Sequence, residues 1–200
     1  MTGGLEIQCV SGGAVVPFLD AVAALRIAVF REFPYLYDGE RDYEREYLKV
    51  YAGAERSVIV LALDEGRVVG ASTALPMEDS DEGFRKPFAD AGYPIGEVFY
   101  FGESVLFPEY RGRGIGKAFF DGREAHAMAL GFRWTTFCAV ERAPDDPRRP
   151  SGYRPLDGFW TERGYRFHPE LSAVFPWKEI GEGKRSNTLR FWLRNWPNPA

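Results

Sequence analysis

The sequence contains few residues of the kinds that bind metals or form disulfides. Its 200 residues include two cysteines and two histidines, with no Cys-x-x-Cys spacing. Neither a metal site nor a disulfide framework is therefore expected. Cys9 and Cys138 lie in separate apolar stretches, where we expect buried structural thiols. His126 and His168 have no partner pattern that would indicate a catalytic triad or a metal site.

The sequence also lacks an excess of basic residues and a long apolar run. Its 25 Lys and Arg are outnumbered by 29 Asp and Glu, which gives a formal net charge of −4. Nucleic acid is then not the expected partner, since phosphate contacts need clustered basic residues. The segment MTGGLEIQCV lacks the features of a signal peptide, and we expect no run near the ~18 apolar residues of a membrane span. These absences predict a cytoplasmic protein that binds no membrane.

Apolar and aromatic residues are abundant. They make up 45% and 16% of the chain, respectively, which is enough to build a sizeable core. The length fits one domain, and no repeat or linker divides residues 1–200.

The first half of the chain alternates helical and strand patterns. Apolar residues at spacings of three and four predict a helix over 14–33, closed by Pro34. Two β-branched runs around Asp64-Glu65-Gly66 predict an antiparallel hairpin. Residues 78–96 are polar and predict a loop with about one helical turn. The remaining predicted elements are a strand over 5–10 and a helix over 40–51.

The second half predicts one parallel crossover and a final hairpin. The predicted strands cover 97–107, 133–140, 172–180 and 188–196, and the predicted helices cover 116–130 and 156–163. A long loop is expected over 141–156, where Pro and Asp are frequent. This order predicts an α/β (α+β) fold with a mixed, mostly antiparallel central sheet of about 6–7 strands and flanking helices.

Three glycines at alternate positions join a strand to a helix in Arg111-Gly112-Arg113-Gly114-Ile115-Gly116-Lys117. Glycine allows close approach of a ligand, and the free N–H groups of a helix start bind phosphate-type anions. Arg113 and Lys117 would add positive charge. The Walker pattern fails because Ala118 follows Lys117, and the Rossmann pattern lacks its third glycine. A tight turn without a ligand is the alternative interpretation.

The stretch PEYRGRGIG resembles the signature of the GCN5-related N-acetyltransferase (GNAT) family. The family pattern [QR]-x-x-G-x-[GA] is present as Arg111, Gly114 and Gly116. The later segment 158–165, GFWTERGY, resembles the family's FYxxxGF segment. The predicted element order is also similar to that of the family over nearly the whole chain.

The resemblance implies a binding mode for acetyl-CoA. Two central parallel strands would splay apart, and the pantetheine arm of acetyl-CoA would lie in the gap. The arm would contact Ser104, Val105 and Leu106 and pair with the backbone of Ser104 and Leu106, and the pyrophosphate would bind amides from Gly112 to Lys117. The implied reaction is acetyl transfer by direct attack of a primary amine, carried by a small molecule or a peptide, with no metal.

Two carboxylates in the strand before the glycines are candidate bases. An alkylamine with a pKa of about 10 is almost wholly protonated at neutral pH, so a carboxylate that takes its proton would help. Glu97 and Glu103 share a face if the strand is regular. Glu103 adjoins the expected thioester and is the first candidate, with an edge carboxylate that solvates the strands as the alternative. Solvent exposure is the alternative for Glu97.

The acid of the resembled family is not in its usual place. The tyrosine of FYxxxGF is replaced by Trp160, and an indole N–H is not a useful acid. Tyr153 is a substitute acid or an ordinary packing residue of the loop, and a thiolate is able to leave without an acid. The family's asparagine after the fifth strand is not evident, since Glu141 and Arg142 stand there.

Aromatic and acidic residues between the first two helices form the candidate acceptor site. The resembled family covers its acceptor with this region, and Tyr35 and Tyr37 would suit a cationic amine. Trp160 is a further candidate for contact with substrate. A packed corner between helices is the alternative. The alternative function is a CoA-binding regulatory module, and the aromatic C-terminal segment 191–196 would fill a core or a homodimer contact.

Overall fold

The computed structural model describes residues 4–196. Within these residues, seven strands form one sheet with the spatial order β1-β2-β3-β4-β5-β7-β6. The strands are β1 (Glu6–Val10), β2 (Val58–Asp64), β3 (Arg67–Pro76), β4 (Val98–Leu106), β5 (Trp134–Val140), β6 (Arg166–Glu179) and β7 (Gly183–Asn195). The β4–β5 pair is parallel and the other neighbours are antiparallel. The predicted mixed, mostly antiparallel sheet is confirmed.

In the described part of the chain, five α-helices cover the two faces of the sheet. They are α1 (Leu19–Phe30), α2 (Arg41–Gly53), α3 (Glu82–Asp90), α4 (Ile115–Ala129) and α5 (Asp157–Glu162). Alternate residues of β2 enter opposite apolar clusters, with Ile59 on one side and Val58 on the other. The first cluster includes buried residues of α1, α2 and α3, and the second includes those of α4. We call these sides the α1–α2 face and the α4–α5 face.

The predicted helix over 14–33 is wrong at both ends. The segment Gly12–Phe18 is a 3₁₀ helix that contains Pro17, and α1 begins only at Leu19. Proline has no backbone N–H to donate, which accounts for the late start of α-helical bonding. At the other end, α1 stops at Phe30, well before Pro34.

The segment Gly12–Phe30 is long and apolar enough to cross a membrane by length and composition. This corrects the expectation that no run approaches that length. Within the fold it contacts α2, β3 and β4 and contains Arg26, which is buried, and the core helix of a soluble protein passes the same test. The segment judged not to be a signal peptide includes residues 1–3, which lie outside the described residues.

Three further expectations are corrected. Residues 82–90 form the helix α3 rather than a loop: Asp81 caps it by accepting a hydrogen bond from Gly83 N, and Phe88 is fully buried. The final hairpin is longer than predicted, because β6 begins at Arg166 and passes through an irregularity between His168 and Ser172. Cys9 is exposed and not buried.

The two parallel strands separate soon after they meet. Their paired residues are Val98 with Trp134, Phe99 with Thr135, and Tyr100 with Thr136. Beyond these pairs β4 continues to Leu106 and β5 to Val140 without pairing to each other. The facing edges therefore leave backbone N–H and C=O groups open to another partner. We call this space the β4–β5 gap.

Candidate active site

A bulge in β4 positions Glu103 beside the β4–β5 gap. The register between β3 and β4 shifts by one residue, so that Gly102 and Glu103 together lie opposite Thr73. Glu103 N donates a hydrogen bond to Thr73 Oγ1 at 3.2 Å, and Arg123 Nη1 donates to Glu103 O at 3.3 Å. A Cβ at Gly102 would collide with the Tyr51 hydroxyl. The bulge is thus packed tightly against α2.

Glu97 does not share a face with Glu103, because the strand is neither regular nor long enough. Glu97 ends a 3₁₀ turn before β4 and is exposed. Its carbonyl accepts a hydrogen bond from Arg133 N at 3.1 Å. This is the end where β4 and β5 are still paired, through Val98 and Trp134. Glu97 therefore lies at the opposite end of β4 from the gap.

Glu103 belongs to a buried ionic cluster with Arg26 of α1 and Glu44 of α2. Arg26 Nη1 is 2.7 Å from Glu103 Oε1, an ion pair without hydrogen-bond alignment. Arg26 Nε donates a hydrogen bond to Glu44 Oε2. The exposed fractions of Arg26, Glu44 and Glu103 are 8%, 0% and 6%. The guanidinium also lies over the ring of Tyr47, at 4.4 Å from its centroid. We call Arg26, Glu44 and Glu103 the ionic triad.

The triad alters the proton affinity of Glu103 and of Arg26. Burial raises the pKa of the Glu103 carboxyl above its usual range, and the charge of Arg26 opposes that rise. Burial lowers the pKa of Arg26, but Glu103, Tyr47 and Glu44 outweigh it and raise the pKa well above the usual value. Arg26 therefore stays charged, while Glu103 is a stronger proton acceptor than an exposed glutamate.

The glycine-rich segment forms the turn that leads into α4. Gly112 and Gly114 have φ of 77° and 83°, a left-handed conformation that favours glycine. A Cβ at Gly116 would meet nothing within 4 Å, so the fold itself has no need of glycine there. The amide of Lys117 already donates to Gly114 O at 3.0 Å. Within the described chain, no backbone acceptor bonds the amides of residues 112–116, which leaves them for an anion.

The two arginines of this turn are bound to the protein itself. Arg111 Nη2 donates to Glu32 Oε2 at 2.9 Å and to Leu106 O at 3.3 Å. Arg113 Nη2 donates to Glu109 O at 2.8 Å. Arg111, Arg113 and Lys117 are all exposed. Arg111 thus ties the turn to the end of β4. Along that end, Ser104 is exposed, Val105 is buried and Leu106 is half-buried.

Hydrogen bonds fix the segment between α1 and α2 to β6 and to Arg142, which follows β5. Trp177 Nε1 and Arg142 Nη2 both donate to Tyr35 O, at 3.1 and 3.0 Å. Tyr37 forms an antiparallel bridge with Glu179, and Arg142 Nη2 is 2.8 Å from Glu179 Oε1. Burial raises the pKa of the Tyr35 and Tyr37 hydroxyls, so both remain neutral. Arg142, at the expected place of an asparagine, holds this segment.

Tyr153 and Trp160 lie in different surroundings. Tyr153 is half-buried, and its ring packs edge-on against Phe33 at 4.8 Å. Burial raises its pKa, which makes the phenol a weaker acid. Trp160 packs between Phe137 and Trp192, with ring centroids 5.0 and 5.2 Å away. That cluster is on the α4–α5 face, opposite to the face that carries the triad.

Sequence reasoning missed the pair at the closed end of the gap. Tyr100 is the last β4 residue that pairs with β5, and its hydroxyl lies 3.3 Å from Cys138 Sγ. Burial raises the pKa of the Cys138 thiol to about 12, although the Tyr100 bond lowers it. The thiol is therefore neutral. Sequence reasoning also missed Arg26 and Glu44. One available signal was that Arg26 is the only basic residue in the apolar segment LDAVAALRIAVF.

Comparison with known proteins gives a family match. The model of a family described as Acetyltransferase (GNAT) family matches residues 22–149. No curated protein sequence matches the chain.

Solved structures provide the fold comparison. A protein assigned to the GNAT family from Desulfovibrio desulfuricans has a TM-score of 0.59 at 13% identity, covering 96% of this chain and 99% of that one. The yncA protein of Salmonella typhimurium, solved with its cofactor acetyl-CoA, has a TM-score of 0.57 at 14% identity, covering 98% and 96%. The paia N-acetyltransferase of Thermoplasma acidophilum, in complex with coenzyme A, has a TM-score of 0.55 at 10% identity, covering 96% and 99%. At these identities the likeness shows the fold alone.

Proposed function

Because the chain belongs to the GNAT family of acetyltransferases, we propose that it transfers the acetyl group of acetyl-CoA to a primary amine. The observation that carries this proposal is the β4–β5 gap, which has the glycine-rich turn at its open end and the buried Glu103 at its side. Acetyl-CoA and CoA in two structures of the same fold support the choice of co-substrate. We take residues 1–200 as a single catalytic domain.

Acetyl-CoA would bind through backbone groups. The pyrophosphate is a ligand for the open amides of residues 112–116, helped by the positive end of α4. The pantetheine arm carries amides of its own, and it would add to the free edge of β4 at Ser104 and Leu106, on either side of Val105, as an extra strand does. Arg113 and Lys117 contribute positive charge near the phosphates, and Arg111 holds the turn.

Glu103 is the proposed base. The acceptor enters as an ammonium ion, and Glu103 takes one of its protons. The nitrogen lone pair then attacks the thioester carbonyl carbon, the C–S bond breaks, and CoA leaves as a thiolate while the second amine proton passes to it or to water. The raised pKa of the Glu103 carboxyl lies closer to neutral pH, and a general base is most efficient when its pKa is near the operating pH.

No side chain is needed as the acid in this scheme. Trp160 packs on the opposite face of the sheet, and Tyr153 is a weakened acid. A thiolate is a better leaving group than an amine. The second candidate function is a CoA-binding regulatory module, favoured by Trp160 and by Arg142 at the place of the family's asparagine.

Amine-dependent release of CoA separates the two functions. The protein is incubated with acetyl-CoA and a panel of alkylamines, diamines, amino sugars and short peptides, and free thiol is measured. An acetyltransferase releases CoA only when an acceptor amine is present, and the acetylated amine appears by mass spectrometry. A regulatory module binds acetyl-CoA in calorimetry and releases no CoA with any amine.

A further inference from the structure

We propose that Arg26 is a positioning residue that holds the Glu103 carboxylate in place and sets its proton affinity, with Glu44 acting against it from α2. This inference rests on the proposed role of Glu103 as the base. It concerns the ionic triad, which joins two helices and the bulged strand. Neither Arg26 nor Glu44 is proposed to touch the substrate.

Within residues 4–196, Arg26 is the side chain that contacts both carboxylates. Its Nε donates to Glu44, and its Nη1 lies 2.7 Å from Glu103 Oε1. The rings of Phe30 and Tyr47 lie 5.1 and 4.4 Å from the guanidinium carbon, which restricts its rotation. A buried charge is costly unless it is paired. The fully buried Glu44 therefore fixes Arg26, and Arg26 in turn orients Glu103.

The charges of the triad give opposite effects on Glu103. The two carboxylates and one guanidinium of the triad carry a net charge of −1 when both carboxylates are ionised. The positive charge of Arg26 favours ionised Glu103, whereas the negative charge of Glu44 disfavours it. Loss of Arg26 charge must then raise the pKa of Glu103, and loss of Glu44 charge must lower it. A purely structural role would damage the site in both cases without opposite shifts.

Other titratable groups surround Glu103 from each element packed against it. They are Tyr35 of the α1–α2 segment, Tyr47 and Tyr51 of α2, Arg123 of α4 and Cys138 of β5. Burial raises the pKa of the tyrosines and of the thiol, so these groups stay neutral where Glu103 titrates. Arg123, with a pKa of about 10, stays charged. Arg26 and Glu44 are therefore the charged groups whose removal should shift the pKa of Glu103, because the other groups keep their charge state in every variant.

The test uses Arg26→Gln, Glu44→Gln and the double variant in the full chain. The acidic limb of kcat/KM against pH reports the base in the free enzyme. The midpoint should fall by on the order of one pH unit in Glu44→Gln and rise by a similar amount in Arg26→Gln. The double variant should lie between them. A matched control is Arg45→Gln, which removes an exposed α1–α2 ion pair with Asp20 and should not move the midpoint.

A second readout does not depend on activity. The ¹³C resonance of the Glu103 carboxyl, assigned with Glu103→Gln, is titrated in each protein. Shifts of opposite sign in this titration support the inference even if no amine is acetylated, in which case only the proposed function fails. Shifts of the same sign, or none, overturn the inference. If Arg26→Gln does not fold, Glu44→Gln decides alone: a midpoint that is unchanged or raised overturns it.

Discussion

At the scale of single residues, the Glu103 carboxylate is both an ion-pair partner and the proposed base. These roles compete, because a carboxylate bound to Arg26 is less able to take a proton, while burial restores its proton affinity. The net result is a raised pKa of Glu103. Glu44 favours the same outcome, because its negative charge disfavours the ionised form of Glu103.

Glu103→Gln keeps the shape of the side chain and removes the base. The rate of acetyl transfer should fall by roughly 10² to 10⁴, as is typical for loss of general-base help. The loss should shrink at high pH, where the amine is already neutral, and acetyl-CoA affinity should barely change. The measurement is kcat/KM against pH for both proteins. A constant ratio between them from neutral to alkaline pH would mean that Glu103 only binds or orients the acceptor.

The same substitution tests the raised pKa through protein stability. The stability contributed by a group with a raised folded-state pKa is fully present below the unfolded pKa and is lost as the pH rises through the folded pKa. Gln mimics the protonated carboxyl at every pH. Glu103→Gln should therefore gain thermal stability relative to the native protein as the pH rises from about 4 to 7. A difference in Tm that stays constant over this range contradicts the assignment.

Glu103 could be identified as a candidate from the sequence, whereas its pairing with Arg26 and Glu44 could not. A charged residue in an apolar strand is a local signal. Arg26 and Glu44 become partners only when two helices pack on the same bulge, and the bulge depends on the register with β3. The bulge, together with the start of β4 after Glu97, explains why the expectation that Glu97 and Glu103 share a face was wrong.

At the scale of elements, the turn before α4 combines left-handed glycines with open amides. Its glycines, its arginines and the following helix are neighbours in the chain, so the sequence predicted them together. The helix α3 was missed because Gly83 and Pro87 lie within it, although Asp81 is a recognisable cap.

Gly114→Asp should abolish acetyl-CoA binding, since a side chain and a negative charge would enter the phosphate site. Gly131→Asp is the matched control: Gly131 follows α4, has a φ of 78° and has open space at its Cβ. Both variants should lose about 1–2 kcal/mol of stability for a left-handed non-glycine residue. Calorimetry should show lost affinity in Gly114→Asp alone. Equal affinities in the two folded variants would refute the phosphate-site assignment.

At the scale of the whole molecule, the sheet separates two kinds of packing. The α1–α2 face carries the ionic triad and the tyrosines, while the α4–α5 face carries an aromatic cluster around Tyr165. This separation follows from strand alternation, which the sequence shows. The sequence does not show which helices cover which face.

Trp160→Phe should lower stability and leave turnover nearly unchanged, because Trp160 packs on the face away from Glu103. A smaller ring in a half-buried cluster should cost about 1–2 kcal/mol. Thermal melting and steady-state kinetics measure the two effects. A hundredfold loss of turnover with unchanged melting would place Trp160 in the reaction.

In the proposed binding mode, acetyl-CoA completes the sheet where β4 and β5 no longer pair. Without it, the amides along the open edge of Ser104–Leu106 should exchange with deuterium quickly, and bound acetyl-CoA should protect them. A ligand at 100 times its dissociation constant adds about 2.7 kcal/mol to folding stability. The resistance of this protein to unfolding and proteolysis would then rise with the concentration of acetyl-CoA. A cell with little acetyl-CoA would contain less of the protein.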